Sequence, residues 1–259
     1  VEGMKWRILN IHEDGTVDLI SETSTYWGPH FGGYLGYNNG VLVINGICNH
    51  FYSNSSLGVE ARNINIKDIE YWLSDKGKSE RDSYGKGTGV QYGKSKKVEG
   101  NVYPSLYAEE NGSGIDTESV KTDGIDTSDD GRNTGAREGR AEASKSLTVT
   151  QTFYQFDWPT PKENFESSVV YDLIFEKGQE YWIASRFANV GTNATFGIYT
   201  VKDYNLQAQE FTISHGYHYY DNYQEVGLRP VVSIRPEIEI TTVKNADGTS
   251  EENMHKIVE

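Results

Sequence analysis

The sequence is poor in several residue types, and each scarcity excludes a class of protein. Its 259 residues include a single cysteine, Cys48, so no disulfide can form within the chain. No run of residues approaches the roughly 20 apolar residues that a membrane-spanning helix needs, so we expect no membrane insertion. Lysine and arginine number 24 against 38 acidic residues, which gives a formal net charge of −14. Nucleic acid and anionic membrane surfaces both require a basic face, so we expect neither as a partner.

Hydrophobic residues are also scarce, at 36% of the chain, whereas the aromatic residues include 18 tyrosines. Tyrosine can fill a small core and can also present its hydroxyl group at a surface. The scarcity of cysteine is typical of a bacterial or phage product. No signal peptide is visible, and because the chain opens at Val1, that absence carries no information about localisation.

The N-terminal part has a strong hairpin signal. Asp14-Gly15 lies between two strand-like runs, residues 4–9 and 16–21, and Asp-Gly in that position favours a tight turn between antiparallel strands. Residues 24–39 are rich in glycine and aromatic residues without any periodicity, so we predict a long packed loop there.

Three helices are predicted from apolar residues at helical spacing. The first covers residues 41–52, with Ile44, Ile47, Cys48 and Phe51 on its apolar face. The second covers residues 66–73, with Asn65 as its N-cap and Asp68 in its first turn. The third covers residues 165–174. Because a free cysteine packs as a small hydrophobic residue, Cys48 is predicted to be a core residue.

Four domain segments follow from the pattern. We expect residues 1–74 to form the N-terminal half of one domain, residues 75–145 to form a loop-rich polar insertion, residues 146–236 to form the C-terminal half, and residues 237–259 to form a tail. Strands are predicted over residues 147–154, 181–186, 195–201, 210–214 and 227–234. Trp182, Phe196 and Leu228 are predicted to lie in the core.

Aromatic and polar residues dominate two links between these strands, residues 187–194 and 215–223. A rigid sheet that carries such loops is a common way to build a binding surface. The candidate ligand-binding residues are Phe187, Asn189, Thr192, Asn193, His215, Tyr217, His218, Tyr219, Tyr220, Asp221, Asn222 and Tyr223.

Metal sites are considered at two places. Asp126, Ser128, Asp130 and Gly131 match the opening of a calcium-binding EF-hand loop, but Arg137 occupies the position where a bidentate glutamate is required. The more economical interpretation is a solvated acidic loop. His215 and His218 could suit a transition metal, but the interleaved tyrosines favour an aromatic contact surface. We therefore predict no metal and no cofactor.

Enzymatic signatures are hard to find. The sequence has neither a Gly-x-Ser-x-Gly motif nor a phosphate-binding P-loop. With 38 acidic residues, pairs of carboxylates carry no information without a structure. Arg186 and Arg229, next to predicted strand ends, are interpreted as structural charges. We expect no enzymatic activity, and an enzyme acting on polysaccharide or peptide is kept as an alternative.

Several motifs resemble a known group of proteins. Uncharacterised proteins of gut Firmicutes and their phages are similar over residues 6–9, 19–21, 36–40, 48–54, 61–64, 68–69, 147–154, 181–186, 196–197 and 228–232. The strand around Trp182, the pair Phe196-Gly197 and the closing Leu228-Arg229-Pro230 strand also resemble C-type lectin-like ligand-display domains that retroelements diversify.

This resemblance implies an α+β, C-type lectin-like fold: two or three helices around small mixed or antiparallel sheets, with loops that present a variable surface. The calcium and sugar signatures of animal lectins are absent, which argues against calcium-dependent sugar binding. The related formylglycine-generating enzymes use paired cysteines, whereas Cys48 is alone. The resemblance therefore implies a ligand-binding protein without chemistry of its own.

Residue usage in the two links fits diversification by adenine mutagenesis. Residues 215–223 contain only His, Gly, Tyr, Asp and Asn, and residues 187–194 contain only Phe, Ala, Asn, Val, Gly and Thr. All of these, apart from asparagine itself, can arise from asparagine codons with mutated adenines. Binding loops also favour Tyr, Gly, Asn and Ser without any such mechanism.

The leading hypothesis is a receptor-recognition domain of a phage particle or bacterial surface protein, located on the virion, at the cell surface or outside the cell. Its expected partner is a protein or glycan on a host or target cell. A third hypothesis is a structural virion or fibre component, in which the tyrosines of residues 215–223 lie in a subunit interface.

Overall fold

The chain is a mixed α+β protein with few helices and small, mostly antiparallel sheets. The computed structural model describes residues 4–102, 132–133, 144–156, 160–175, 179–213, 221–222, 226–237, 240–241 and 256–257. The helices are α1 (Gly33–Tyr52), α2 (Ile66–Tyr71), α3 (Asp75–Ser83) and α4 (Ser168–Phe175). The strands are β1 (Trp6–Ile11), β2 (Val17–Ser21), β3 (His30–Gly32), β4 (Glu60–Asn63), β5 (Ser95–Val102), β6 (Arg132–Asn133), β7 (Ser144–Thr150), β8 (Tyr181–Val190), β9 (Ala194–Lys202), β10 (Asn205–Ile213), β11 (Asp221–Asn222), β12 (Pro230–Ile234), β13 (Ile240–Thr241) and β14 (Lys256–Ile257).

The predicted N-terminal hairpin is confirmed. β1 and β2 pair antiparallel, and Gly15 in their turn has a φ of 86°, a conformation that costs glycine least. This hairpin continues into a sheet with the strand order β1-β2-β12-β4. β12 therefore does not belong to the sheet of β8, although the strands predicted over residues 181–186 and 227–234 were both expected in the sheet that carries the two loops. Before the chain enters the N-terminal sheet, the Gly227 N–H donates to the Glu180 carbonyl at 3.1 Å, and the Gly227 carbonyl accepts from the Trp182 N–H at 3.0 Å.

A second sheet, in the order β10-β9-β8, is buried on both faces. Trp182 and Phe196 pack on one face in a cluster that includes the buried residues of α1. Tyr181, Phe187 and Tyr199 pack on the other face in a cluster that includes residues of α2 and α4. Because successive side chains of a strand point to opposite faces, burial of both faces favours apolar residues along β8, and its buried polar residues, Ser185 and Arg186, are the exceptions.

Helix α1 begins at Gly33, eight residues before the predicted start at Val41. A side chain at Gly40 would place its Cβ 2.3 Å from Cδ1 of Ile198, so this glycine allows α1 to lie close against β9. Glycine predicts a loop from its intrinsic propensity, but packing against the sheet overrides that propensity here. The predicted apolar face is correct for Cys48, which is fully buried, and wrong for Phe51, which is 51% exposed.

Helix α2 follows the sequence prediction closely. Asn65 is its N-cap, and the Asn65 side chain accepts hydrogen bonds from the backbone N–H groups of Lys67 and Asp68. The Asp68 side chain in turn accepts from the Asn65 backbone, which completes a capping box.

Among the described residues, no helix is both long and apolar enough to cross a membrane.

The first part of the predicted insertion, residues 75–102, is more regular than its composition indicated. Ser74 caps α3, and the Ser74 backbone N–H donates to the carbonyl of Asn164 at 2.8 Å. β5 pairs antiparallel with β7, and Val98 and Val149 of this pair are buried in the core. The acidic loop at residues 126–137, considered above as a calcium site, is described only at residues 132–133.

Candidate functional site

The two predicted binding loops start from the same end of the β8–β9–β10 sheet. Val190 on β8 pairs with Ala194 on β9, which leaves residues 191–193 as a tight turn. Thr195, next to that turn, pairs with Ile213, the last residue of β10. The turn and the point where the chain leaves β10 are therefore neighbours, although about 20 residues separate them in sequence.

The turn itself is polar and well bonded. The Gly191 N–H donates to the Asn193 carbonyl at 2.7 Å, and Lys96 Nζ donates to the Gly191 carbonyl at 2.8 Å. Thr192 and Asn193 are exposed. Next to the turn, Thr195 Oγ1 donates to a Glu210 carboxylate oxygen at 3.1 Å. This arrangement presents two exposed polar side chains on a backbone held by hydrogen bonds.

Two of the predicted site residues lie inside β8 rather than in a loop. The prediction for Phe187 is wrong, because this side chain is fully buried, with the rings of Phe153 and Tyr199 at centroid distances of 5.3 and 5.2 Å. Asn189 is half-buried, and its side-chain oxygen accepts from Gln151 Nε2 at 3.3 Å. Since β8 continues to Val190, the first loop is shorter than predicted.

The second loop is described only where it returns to the fold. Asp221 and Asn222 form β11, which pairs antiparallel with β3, Asp221 opposite Gly32 and Asn222 opposite Phe31. The chain therefore passes the N-terminal end of α1 on its way back to the core. The remaining predicted site residues, His215, Tyr217, His218, Tyr219, Tyr220 and Tyr223, lie outside the described residues.

Arg186 and Arg229, interpreted above as structural charges, are both buried. Arg229 donates from Nε to the Ser21 carbonyl and from Nη2 to the Glu22 carbonyl, each at 2.9 Å. Its guanidinium carbon also lies 5.2 Å from the centroid of the Tyr181 ring. The guanidinium of Arg186 lies 5.5 Å from the centroid of the Tyr37 ring. Neither cation reaches the surface, so both act within the fold.

A serine, a histidine and an aspartate meet on the N-terminal sheet, but not in the order of a hydrolytic triad. Ser233 Oγ donates to Asp18 Oδ1 at 2.6 Å, and His12 Nε2 lies 3.1 Å from Asp18 Oδ2. Arg62 Nη2 donates to the same Asp18 oxygen at 3.1 Å. Activation of a serine requires its hydroxyl to contact the imidazole, whereas here both groups contact the carboxylate. This cluster ties together β2, β4 and β12.

No group of three or more His, Cys, Asp or Glu side chains within the described ranges is placed to hold a metal ion. His215 and His218, considered above for a transition metal, fall in the part of the chain that is not described, as does most of the acidic loop. The prediction that the protein binds no metal therefore stays a prediction.

An aromatic patch, formed by Trp27, His50 and Phe51, was missed by the sequence analysis. The Trp27 ring is 58% exposed and meets the ring of Phe51 edge to face at a centroid distance of 6.4 Å. The His50 ring lies 4.8 Å from the ring of Phe51. Exposed aromatic clusters often mark contact surfaces. The available signal was the pair Tyr26-Trp27 within a polar, glycine-containing segment.

Buried tyrosine and cysteine groups predict a loss of stability at alkaline pH. Burial raises the pKa of Tyr181 to about 12, and the pKa of the Cys48 thiol likewise to about 12. Both groups bind their proton more tightly when folded, so their stabilising effect is complete at neutral pH and is lost as pH rises towards 12. For Tyr181, with an unfolded pKa near 10, this loss amounts to roughly 2–3 kcal/mol.

The measurement is urea unfolding at pH 8, 10 and 11, with tyrosinate absorbance recorded alongside. A Tyr181→Phe variant should show a smaller decrease in unfolding free energy between pH 10 and 11 than the unmodified protein. An identical pH dependence in both proteins would contradict the assignment to Tyr181.

No protein-family model matches the sequence, and no curated protein or solved structure matches it either. A functional assignment therefore rests on the geometry of the sheet end and on the residues that it presents.

Proposed function

We propose that this protein is a ligand-binding module without enzymatic activity, which recognises a protein or glycan on a host or target cell. The binding surface would consist of Thr192 and Asn193 together with the tyrosines and histidines of residues 215–223. The module would belong to a phage particle or to a bacterial surface protein. Tyrosine suits such a surface because it offers a large, rigid contact area at a low entropy cost.

The register of β8, β9 and β10 is the observation that carries the proposal. It places the turn at residues 191–193 and the end of β10, from which residues 215–223 follow, at the same end of one sheet. A single ligand could therefore contact both segments. The sheet beneath is buried on both faces. A buried sheet is a rigid base, and rigid support reduces the cost of ordering a binding loop.

The proposal includes a C-type lectin-like fold for the domain. It is supported by the presence of α1 and α2, by small sheets, and by the pairing of the closing strand β12 with the N-terminal hairpin strand β2. Diversification of the loops by a retroelement is part of the same proposal. Its support is the residue usage of residues 215–223 and the exposure of Thr192 and Asn193.

Truncation of the tyrosines tests the binding surface. We expect the combined change of Tyr217, Tyr219 and Tyr220 to Ala to abolish binding to cells, because a few aromatic anchors usually carry on the order of 2 kcal/mol or more each. Melting should stay within a few degrees of the unmodified protein. The measurement is binding of fluorescent protein to candidate host cells and to a glycan array, with a melting curve for each variant.

Tyr26→Ala is the matched control, because Tyr26 is a fully exposed tyrosine outside the proposed surface. It should bind as the unmodified protein does. If the triple variant melts as early as a core variant such as Trp182→Ala, the tyrosines are core residues and the binding-surface proposal must be abandoned.

Sequencing the same locus in sibling strains tests diversification separately. Variation should fall on Thr192, Asn193 and residues 215–223, while the buried neighbours Phe187, Val190 and Ala194 stay constant. Variation spread evenly over exposed positions of the whole chain would exclude targeted mutagenesis.

A structural role in a virion or fibre is the second candidate, and the exposed patch of Trp27, His50 and Phe51 favours it. Subunit interfaces are enriched in aromatic residues at their centre. In this case the occupant of the patch would be a second copy of the chain. Light scattering after chromatography distinguishes the two functions, because a Trp27→Ser, Phe51→Ser variant would then dissociate an oligomer, whereas a monomeric unmodified protein excludes this role.

A further inference from the structure

The display turn, residues 191–193, is supported by one residue of the predicted strand 147–154, Gln151, and by one residue of the predicted polar insertion, Lys96. Gln151 follows β7 and is only 1% exposed. Its side-chain oxygen accepts from the Val190 N–H at 2.7 Å. Its side-chain nitrogen donates to the Phe153 carbonyl at 2.7 Å and to the Asn189 side chain at 3.3 Å. The oxygen and the nitrogen of this buried amide are thus both hydrogen-bonded, next to the point where β8 enters the turn.

The neighbouring residues extend this support along β8. Thr152 Oγ1 accepts from the Ala188 N–H at 2.8 Å. The backbone N–H groups of Thr152 and Phe153 both donate to the Ala188 carbonyl, at 2.9 and 3.0 Å. Among the described strands β8 is at the edge of its sheet, and edge strands expose unpaired backbone groups. Residues 151–153 satisfy these groups at the end of β8 that leads into the display turn.

Lys96 on β5 provides a second support. Its side chain lies on the same face of β5 as the buried Val98, and its Nζ donates to the Gly191 carbonyl. The next residue, Lys97, points to the other face and pairs with Glu99 at 2.8 Å. These two adjacent exposed lysines therefore have different partners: Lys96 contacts the display turn, whereas Lys97 contacts Glu99.

From these contacts we propose that Gln151 and Lys96 are positioning residues for ligand binding, which hold the display turn in a single conformation. Neither needs to touch the ligand. A turn that is ordered before binding loses less conformational entropy in the complex, so its affinity is higher. The inference deepens the proposed function and rests on it, because it assumes that Thr192 and Asn193 contact the ligand.

Lys96→Met tests the inference, with Lys97→Met as the matched control and Lys96→Arg as the conservative replacement. Amide hydrogen exchange at Gly191 is read by NMR. We expect exchange to accelerate on the order of tenfold in Lys96→Met, to stay unchanged in Lys97→Met, and to be restored in Lys96→Arg, because a charged hydrogen bond to the turn is lost and regained.

Binding is measured with a defined probe, a nanobody that is selected on the unmodified protein and that loses affinity when Thr192 and Asn193 are both changed to Ala. Lys96→Met should weaken this probe on the order of tenfold, mainly through faster dissociation, and Lys96→Arg should restore it. A second nanobody, dependent on Trp27, should bind all variants equally. Equal exchange and equal probe affinity in Lys96→Met and Lys97→Met would overturn the inference.

Gln151→Leu provides an independent test. We expect faster hydrogen exchange at the Val190 amide, because its N–H loses the Gln151 side-chain acceptor. If this variant does not fold, the lysine variants still decide the question, since both lysines are exposed. Host-cell binding is recorded in parallel. An unmodified protein that binds no cell would refute the proposed function, whereas the nanobody comparison would still show whether Lys96 positions the turn.

Discussion

Replacing Trp182 with Ala should lower the free energy of unfolding by roughly 3–5 kcal/mol, a large part of the total stability of an ordinary domain. The Trp182 ring is fully buried, with the rings of Phe31 and Phe211 at centroid distances of 5.2 and 6.0 Å. Its indole N–H donates to the Pro29 carbonyl at 2.9 Å. The substitution thus leaves a cavity between α1 and the sheet and also leaves a buried carbonyl without its donor.

The control is Trp27→Ala, which removes an equally large side chain from the surface. Because Trp27 is more than half exposed, its loss should cost about 0.5 kcal/mol or less. Urea unfolding of both variants gives the comparison. Similar midpoints for the two variants would mean that Trp182 does not anchor the core.

Asn63→Ala should cost about 3–5 kcal/mol, although the residue is small and polar, because it would leave several buried polar groups unsatisfied. The Asn63 side chain donates to the Trp182 carbonyl at 2.6 Å and accepts from the Arg229 N–H at 2.7 Å. Its backbone N–H donates to the Asn45 side chain at 3.0 Å. This one residue connects α1, β4, β8 and the approach to β12.

Asn49→Ala is the appropriate control, since Asn49 is an exposed asparagine of α1 that bonds only a nearby serine, Ser53, in its described contacts. We expect it to change the unfolding free energy by about 0.5 kcal/mol or less. Thermal and urea unfolding should agree on the order of the two variants. An Asn63→Ala protein as stable as Asn49→Ala would show that the local structure adjusts around the lost amide.

Position 63 also illustrates what sequence reasoning could not find. Its residue type and neighbours predict only an ordinary polar position next to a helix cap. Its importance arises because segments distant in the sequence converge on this one residue, through both its side-chain amide and its backbone N–H. The same holds for Ser185, whose hydroxyl accepts from the N–H of Ile66, at the start of α2, at 2.9 Å.

The sequence was sufficient to predict those features that depend only on residues close together in the chain. Asp14-Gly15 predicted the first hairpin because few residues accept a positive φ, and Asn65 with Asp68 predicted the start of α2 because their side chains bond the adjacent backbone. Trp182 and Cys48 were assigned to the core because they lie in strongly apolar segments, and burial removes such segments from water.

At the candidate site, the sequence by itself determined the composition of the two loops and the exposed polar pair, Thr192 and Asn193. Only the tertiary structure decided that Phe187 is buried, since the packing of a second layer on the sheet cannot be read from strand periodicity. It also decided that Phe51 is exposed, since the side of α1 that meets the sheet depends on contacts with distant residues. It also decided that both loops start at one sheet end, because the register of β8, β9 and β10 is set by contacts between residues far apart in the chain.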